Sequence, residues 1–404
     1  MNILFISLID FETIKTSGIY TDLLREFKKN GDKVYAISPT ERKKRKHDYV
    51  IEEDGVVIVK PRIGNIQKTT NIEKALSMLT IEPILNRAIK KYLSDVKIDL
   101  VLYPTPPITF ANTIAYIKKR DGAYAYLMLK DIFPAGAVDL GALKKTGLKG
   151  VIYRYFRKKE KYLYRISDKI GCMSRGNVEY LKANNKLENS KLEECPNAVE
   201  PTDKRLSQQE KTAVRGEFGL PTNKCIFIYG GNLGKPQGIP FVIECLKKQS
   251  VNDEAFYVII GDGTEFGLLQ SFIDQDKPQN VKLIKRLPKE KYDRLMSACD
   301  VGLIFLEHNF TIPNIPSRIL AYMQAGLPVL AATDPYTDLH NIIEQGEFGC
   351  WCESNDVNTF SNLVSFLVKN ESIRHRYGNN AQKTLVQDYN VVAVYKTIKT
   401  SIDS

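Results

Sequence analysis

Residues 312–332 read IPNIPSRILAYMQAGLPVLAA, and they place an arginine where arginine is unusual. Pro316-Ser317 has the form of a helix start with Ser317 as its cap. Arg318 then opens a run of helical spacing, Ala325-Gly326 stop it, and residues 327–332 are apolar and β-rich. A helix start offers unpaired N–H groups and partial positive charge, so it holds anions, and a cation in the first turn opposes the local field. Two readings follow. Arg318 is a surface residue on an ordinary βα unit, or it is recruited, with the Ser317 backbone, to a bound diphosphate.

Three glycine-rich turns favour the diphosphate. Residues 226–229 are an apolar β run that breaks at Gly230-Gly231-Asn232-Leu233-Gly234-Lys235-Pro236-Gln237-Gly238 and restarts as a helix over 240–248. A strand, a glycine loop with one lysine and a helix together cradle phosphate, although this loop follows neither the Walker pattern nor GxGxxG. Gly261-Asp262-Gly263 follows the strand-like residues 256–260, and Gly18 separates a first strand (3–8) from a helix over 19–29. Such turns in both halves point to ligand binding in a crevice at strand C-terminal ends. Asp131, after the apolar run 124–129, sits at the same kind of edge, where functional carboxylates collect; otherwise it is a capping or turn residue before Pro134.

These residues must be positioned by a chain of 404 residues, long enough for two domains of about 200 each. Strand-like runs at 2–8, 33–37, 56–59, 100–103 and 124–129 alternate with helical stretches at 19–29, 81–91 and 109–119, which predicts a parallel α/β sheet. A late strand at 171–174 completes that series. The proline-rich segment from Cys195 to Pro201 reads as a linker, and a second series restarts with runs at 225–229, 256–260, 281–284, 301–305, 329–332 and 349–352. The tail from Ile373 is mostly helical in pattern.

Charge is unevenly placed. Residues 1–197 hold 36 Lys and Arg against 23 Asp and Glu, a net of +13, while the remainder is −2. The excess concentrates in residues 41–47 and 153–165, the second interleaved with tyrosines and carrying Arg154, Arg157, Lys158, Lys159 and Lys161. Each cluster alone reads as a solvated surface; the pair favours peripheral contact with an anionic membrane. No nucleic-acid signature accompanies them, so nucleic acid is not expected as a partner. No apolar run reaches about 18 residues, and residues 1–7 read as a buried strand, not a signal peptide. The seven scattered cysteines read as free thiols in a reducing cytoplasm, and neither they nor the four histidines have metal-site spacing.

Taken in order, Asp131-Ile-Phe-Pro134, Gly171-Cys-Met-Ser174, Pro196-Asn-Ala-Val199, the loop 231–238, Ile260-Gly-Asp-Gly263, Ser297-Ala-Cys-Asp-Val301 and Pro316-Ser-Arg318 through Gly326-Leu-Pro-Val329 resemble the family-four glycosyltransferases. Within that family the chain is most similar to bacterial capsule and O-antigen enzymes that handle N-acetylfucosamine-type sugars. The resemblance implies the GT-B fold: two Rossmann-like parallel-sheet domains facing a cleft. Residues 1–197 would bind the acceptor, 198–385 the nucleotide sugar, and a final helix over about 386–404 would return to the first domain. It implies retaining transfer without a metal or cofactor, from a UDP-sugar to a polyprenyl-diphosphate-linked saccharide, on the inner face of the cell membrane; transfer to a soluble acceptor and a catalytically silent scaffold subunit are the alternatives. Asp131, Lys235 and Arg318 are the expected catalytic set. Gly18, Gly231, Asn232, Gly234, Lys235, Gly261, Asp262, Leu287, Glu307, Asn314, Ser317 and Arg318 are the expected donor-binding set. The chain departs from the family where two glutamates usually stand: Pro313 and Ala321 occupy those positions, with Glu307 as a substitute for the first. Asn232 replaces a phosphate-binding arginine and Lys130 a histidine.

Overall fold

A computed structural model describes residues 1–45, 47–67 and 69–403; Lys46 of the first basic cluster lies outside the described residues. The chain forms two compact units. The first comprises Met1–Glu200 and the chain from Val391 onward, the second Pro201–Asn390.

The first unit is built on an eight-stranded sheet of β1 (Asn2–Ile6), β2 (Lys33–Ile37), β3 (Tyr49–Glu53), β4 (Val56–Lys60), β5 (Leu100–Pro104), β6 (Tyr124–Leu129), β7 (Lys169–Cys172) and β8 (Leu192–Glu194). The order across the sheet is β8-β7-β6-β5-β1-β2-β4-β3. Every pairing is parallel except the β3–β4 hairpin, which turns at Asp54-Gly55 with both residues at positive φ. Strands buried on both faces carry near-continuous apolar runs, which is why β1 and β5 were legible as strands. Short, partly exposed β3 and β8 carry no such run and are not expected from the sequence. The helix expected over 81–91 extends over Asn71–Tyr92, with Pro83 inside it. The expected tail helix from 386 is two elements. Glu371–Asp388 belongs to the second unit, and Val391–Asp403 packs on the first, where Tyr395 meets Phe27 edge-on at 4.9 Å.

The second unit has six parallel strands: β9 (Cys225–Asn232), β10 (Ala255–Asp262), β11 (Val281–Lys285), β12 (Val301–Phe305), β13 (Val329–Thr333) and β14 (Gly349–Glu353). Their order, β11-β10-β9-β12-β13-β14, reverses direction between β9 and β12, the switch point where open α/β sheets bind ligands. Among the described residues, no helix is long and apolar enough to cross a membrane.

Beside the switch point, β9 and β10 approach unusually closely at their C-terminal ends, where Gly231 pairs with Gly261. A Cβ on Gly261 would lie 2.0 Å from the Gly231 carbonyl oxygen. Gly261→Ala is therefore expected to destabilise the second unit by about 1–3 kcal/mol, the usual cost of overpacking a close contact. A urea-unfolding midpoint equal to that of the native chain would contradict this packing.

Candidate functional site

In the second unit the expected donor-binding residues fall at the C-terminal edge of the sheet. β9 ends in Gly231-Asn232 and β10 in Gly261-Asp262, in register with one another, so two glycine turns that are 30 residues apart in sequence become neighbours. Gly231 adopts φ +147, and a Cβ there would come within 3.0–3.2 Å of the Arg318 guanidinium. The arginine thus lies directly against the glycine turn. Its guanidinium carbon stands 4.3 Å from the centre of the Tyr229 ring. Its Nη1 is buried and has no hydrogen-bond partner among the described residues. A buried cation with an unsatisfied donor is costly, and such a group is retained where something else supplies an acceptor. An anion is the acceptor that fits, because it provides both hydrogen-bond capacity and countercharge.

The sequence missed the residues that hold this arginine. Tyr229 donates its hydroxyl to the Asn232 carbonyl at 2.7 Å, tying the end of β9 while its ring supports the guanidinium. Tyr292 lies across Gly230, where any Cβ would strike its ring at about the 2.2 Å given by its Cε2. Tyr322 is fully buried and donates to the carbonyls of Ile228 and Leu303 at 3.2 and 3.1 Å. Aromatic residues at such spacing read as core, and nothing in the sequence marks them as supports for a cation.

The other members of the set are placed as follows. Lys235 is exposed in a short helical turn after Gly234 and has no ion-pair partner among the described residues. The side-chain amides of Asn232 and Gln237 meet at 3.0 Å, and Gly234 leaves room for Asn232. Asp262 accepts from the Gly263 N–H at 3.0 Å. Leu287 is half-buried in the loop after β11. Glu307 accepts from the Asn309 side chain at 2.9 Å and has its Oε2 beside Gly238, so its carboxylate is engaged in shaping its own loop. The backbone of Asn314 exchanges hydrogen bonds with the Thr337 hydroxyl. Ser317 corrects an expectation: it has helical dihedrals, is exposed, and makes no side-chain cap bond. Its hydroxyl cannot cap because the backbone is already turning at that residue.

In the first unit Gly18 brings a second correction. Its N–H donates to Asp22 Oδ1 at 2.8 Å, so it is taken by a buried carboxylate and is not presented to an anion. Asp22 also accepts from Arg25 at 2.7 Å and from the Glu200 N–H at 2.8 Å. The loop before Gly18 is fixed by Lys60, wholly buried, whose ammonium reaches Asp10, the Phe11 carbonyl and Ser38 at 2.5, 2.9 and 2.9 Å.

Asp131 does not cap the following helix, Ala135–Asp139, whose N-terminus has no side-chain cap bond, and the capping alternative falls away. Its backbone carbonyl accepts from Thr105 Oγ1 at 3.0 Å, while its carboxylate has no hydrogen-bond partner among the described residues. The side chain is open to solvent, yet desolvation by surrounding protein pushes its pKa up to about 6. Tyr20 lies near enough that, after burial, the Asp131 charge is the further cause raising its hydroxyl pKa. Lys130 points its ammonium at the Cys195 carbonyl 3.4 Å away. Desolvation lowers its pKa.

Comparison with known proteins agrees with the fold and with the second unit in particular. Residues 210–384 match the family described as glycosyl transferases group 1. The chain is 25% identical over 272 residues to the probable glycosyltransferase WbjE of Pseudomonas aeruginosa, covering 66% of this chain and 65% of that protein. It is 26% identical over 192 residues to the putative colanic acid biosynthesis glycosyl transferase WcaI of Escherichia coli (strain K12), covering 46% of this chain and 42% of the relative. The chain thus spans less than two thirds of either relative's length. Among solved structures, sucrose-phosphate synthase from Thermosynechococcus elongatus superposes with a TM-score of 0.74 at 14% identity, covering 99% of this chain and 98% of that one. Anabaena HepE in complex with UDP-glucose gives 0.69 at 15%, covering 100% and 99%. At these identities the likeness is one of fold: mixed α/β with two Rossmann-like parallel-sheet units, as in GT-B glycosyltransferases.

The unsatisfied guanidinium leads to an unusual expectation. Arg318→Met should leave the melting temperature close to native, because the change removes a buried, incompletely bonded charge while keeping the volume. It should weaken binding of inorganic pyrophosphate by about 10- to 150-fold, corresponding to a charge-assisted hydrogen bond of about 1.5–3 kcal/mol. Calorimetry of both proteins checks this, and unchanged pyrophosphate affinity would remove Arg318 from the site.

Proposed function

We propose that this chain is a retaining glycosyltransferase that moves a sugar from a UDP-linked donor on the second unit to a polyprenyl-diphosphate-linked saccharide, in bacterial surface-polysaccharide synthesis. The observation that carries the reading is the half-buried Arg318, whose Nη1 is buried and, among the described residues, unbonded, against paired glycine turns at a sheet switch point. When the bond from the anomeric carbon to the β-phosphate oxygen breaks, negative charge gathers on the phosphate and positive charge on the sugar. Fixed donors aimed at the phosphate stabilise that separation without reorganising. Arg318 is such a donor, held by Tyr229, and exposed Lys235 supplies a second, mobile cation.

The new bond forms from an acceptor hydroxyl, whose proton must leave. Asp131 has the attributes for holding or taking it: an open carboxylate, unbonded and poised at about pH 6. Support for UDP comes from the complexes of HepE with UDP-glucose and of the Escherichia coli trehalose-6-phosphate protein with UDP-2-fluoro glucose. Similarity to WcaI, a putative colanic acid biosynthesis enzyme, supports a polysaccharide pathway. The motif resemblance supports an N-acetylated 6-deoxyhexose, and the acceptor places the reaction at the cytoplasmic membrane face. A second reading, a catalytically silent subunit of a glycan assembly complex, is favoured by Pro313 and Ala321 in place of two acids.

A thermal-shift screen with UDP-, GDP- and ADP-sugars separates these readings, because a ligand bound only by the folded chain raises its melting temperature. Stabilisation by UDP-sugars, with turnover reduced about 100-fold in Lys235→Ala and in Arg318→Ala, is expected. No stabilisation by any donor would sink the proposal. The acceptor step has its own signature. Raised to about 6, the Asp131 carboxyl is neutral below that pH and charged above it, so turnover should rise through pH 6 as the base form appears. Asp131→Asn should be slow and lack this limb; a variant that kept the limb would exclude Asp131 as its source.

A further inference from the structure

The helix Gly147–Ile166 presents an apolar stripe to solvent. Leu148 is 89% exposed, Val151 56%, Ile152 47% and Tyr155 48%, and their i, i+3, i+4, i+7 spacing places them on one face. The helix buries Gly150, Glu160, Leu163 and Tyr164 instead. Exposed large apolar residues scattered singly are ordinary, but four in register on one helix are a binding surface. Further along the helix Lys158, Lys161 and Arg165 are exposed, and the Arg165 guanidinium lies 5.1 Å from the centre of the Tyr162 ring. Lys144, Lys145 and Lys149 flank the apolar end and are exposed as well.

The charge around this stripe identifies what it meets. Residues 140–166 contain nine Lys and Arg and a single acid, Glu160. Glu160 is buried, bonded to Arg157 and accepting from Tyr164, so this stretch offers no acid beside the stripe. We infer that the first half of this helix inserts its apolar face into the surface of an anionic lipid bilayer, with the surrounding lysines and arginines at headgroup level. A second copy is a poor occupant, because a two-fold contact would set one basic surface against its equal. A bilayer supplies acyl chains for the stripe and dispersed negative charge for its rim.

This differs from attraction by charge alone. Two of the five basic residues singled out from the sequence turn toward protein. Arg157 bonds Glu160, the Asn184 carbonyl and Asn185, and Lys159 faces Glu82 at 3.8 Å. The same ion pair links the helix to Asn71–Tyr92, on which Leu76 and Leu79 are also exposed, at 60% and 67%. The inference does not depend on the reaction catalysed, although membrane insertion would bring the first unit to a lipid-linked acceptor.

The test is co-sedimentation of the full chain with mixed phosphatidylcholine–phosphatidylglycerol vesicles and with pure phosphatidylcholine vesicles. Binding to the mixed vesicles is expected, with a weaker affinity for the neutral ones. Leu148→Asn combined with Ile152→Asn should lower the partition coefficient about tenfold or more, from lost apolar burial, with the melting temperature unchanged. Changing Lys144, Lys145 and Lys149 to Gln should weaken the preference for anionic lipid and reduce its salt dependence. Three results would overturn the inference: no binding to either vesicle, binding indifferent to the double Asn variant, or a dimer in sedimentation velocity that the same variant dissociates. UDP binding measured alongside separates the two proposals, since its loss with vesicle binding intact would count against the donor site alone.

Discussion

A guanidinium withdrawn from water against the face of a tyrosine sets the terms for the second unit. Burying a cation is unfavourable, and stacking on Tyr229 recovers about 2 kcal/mol when the pair is desolvated. The remainder must come from hydrogen bonding, and Nη1 is left without any. The surrounding glycines follow from this placement. Gly231 has no side chain because the guanidinium occupies that space, and Gly261 has none because the Gly231 carbonyl does. Tyr229 fastens the end of β9 through the Asn232 carbonyl, so one side chain contacts both the strand end and the cation.

Charged groups in the first unit behave differently, and the contrast separates charges that are fully bonded from one that is not. Lys60 and Asp22 are buried but well bonded, and each fixes the backbone of a loop. A satisfied buried charge specifies conformation. Asp131 is instead open, unbonded and shifted upward, the condition of a group available for proton transfer. Lys130 beside it is held by the Cys195 carbonyl, a cation directed at backbone.

Much of this architecture was legible in the sequence where burial on both faces enforces continuous apolar runs, as in β1, β5, β9 and β12. The glycine turns were legible for the same reason that makes them necessary: no other residue tolerates the approach at Gly231 and Gly261. What stayed hidden depends on contacts between distant residues. Tyr229, Tyr292 and Tyr322 look like core because, in sequence, an aromatic supporting a cation is indistinguishable from one supporting another aromatic. Gly18 looked like an anion cradle because its N–H partner, Asp22, is identified only once the turn is folded. Ser317 has the residue type of a cap without its dihedrals. The exposed stripe of Leu148, Val151, Ile152 and Tyr155 would ordinarily be assigned to the interior by its helical period, and only the packing of the opposite face shows that it points outward.

The claim that Arg318 waits for a diphosphate is tested most directly by a crystal structure of the chain with UDP. A β-phosphate oxygen within hydrogen-bond distance of Arg318 Nη1, lying over Gly231 with Tyr229 unmoved, is the predicted result. A diphosphate bound elsewhere while Nη1 stays buried and unbonded would contradict the account.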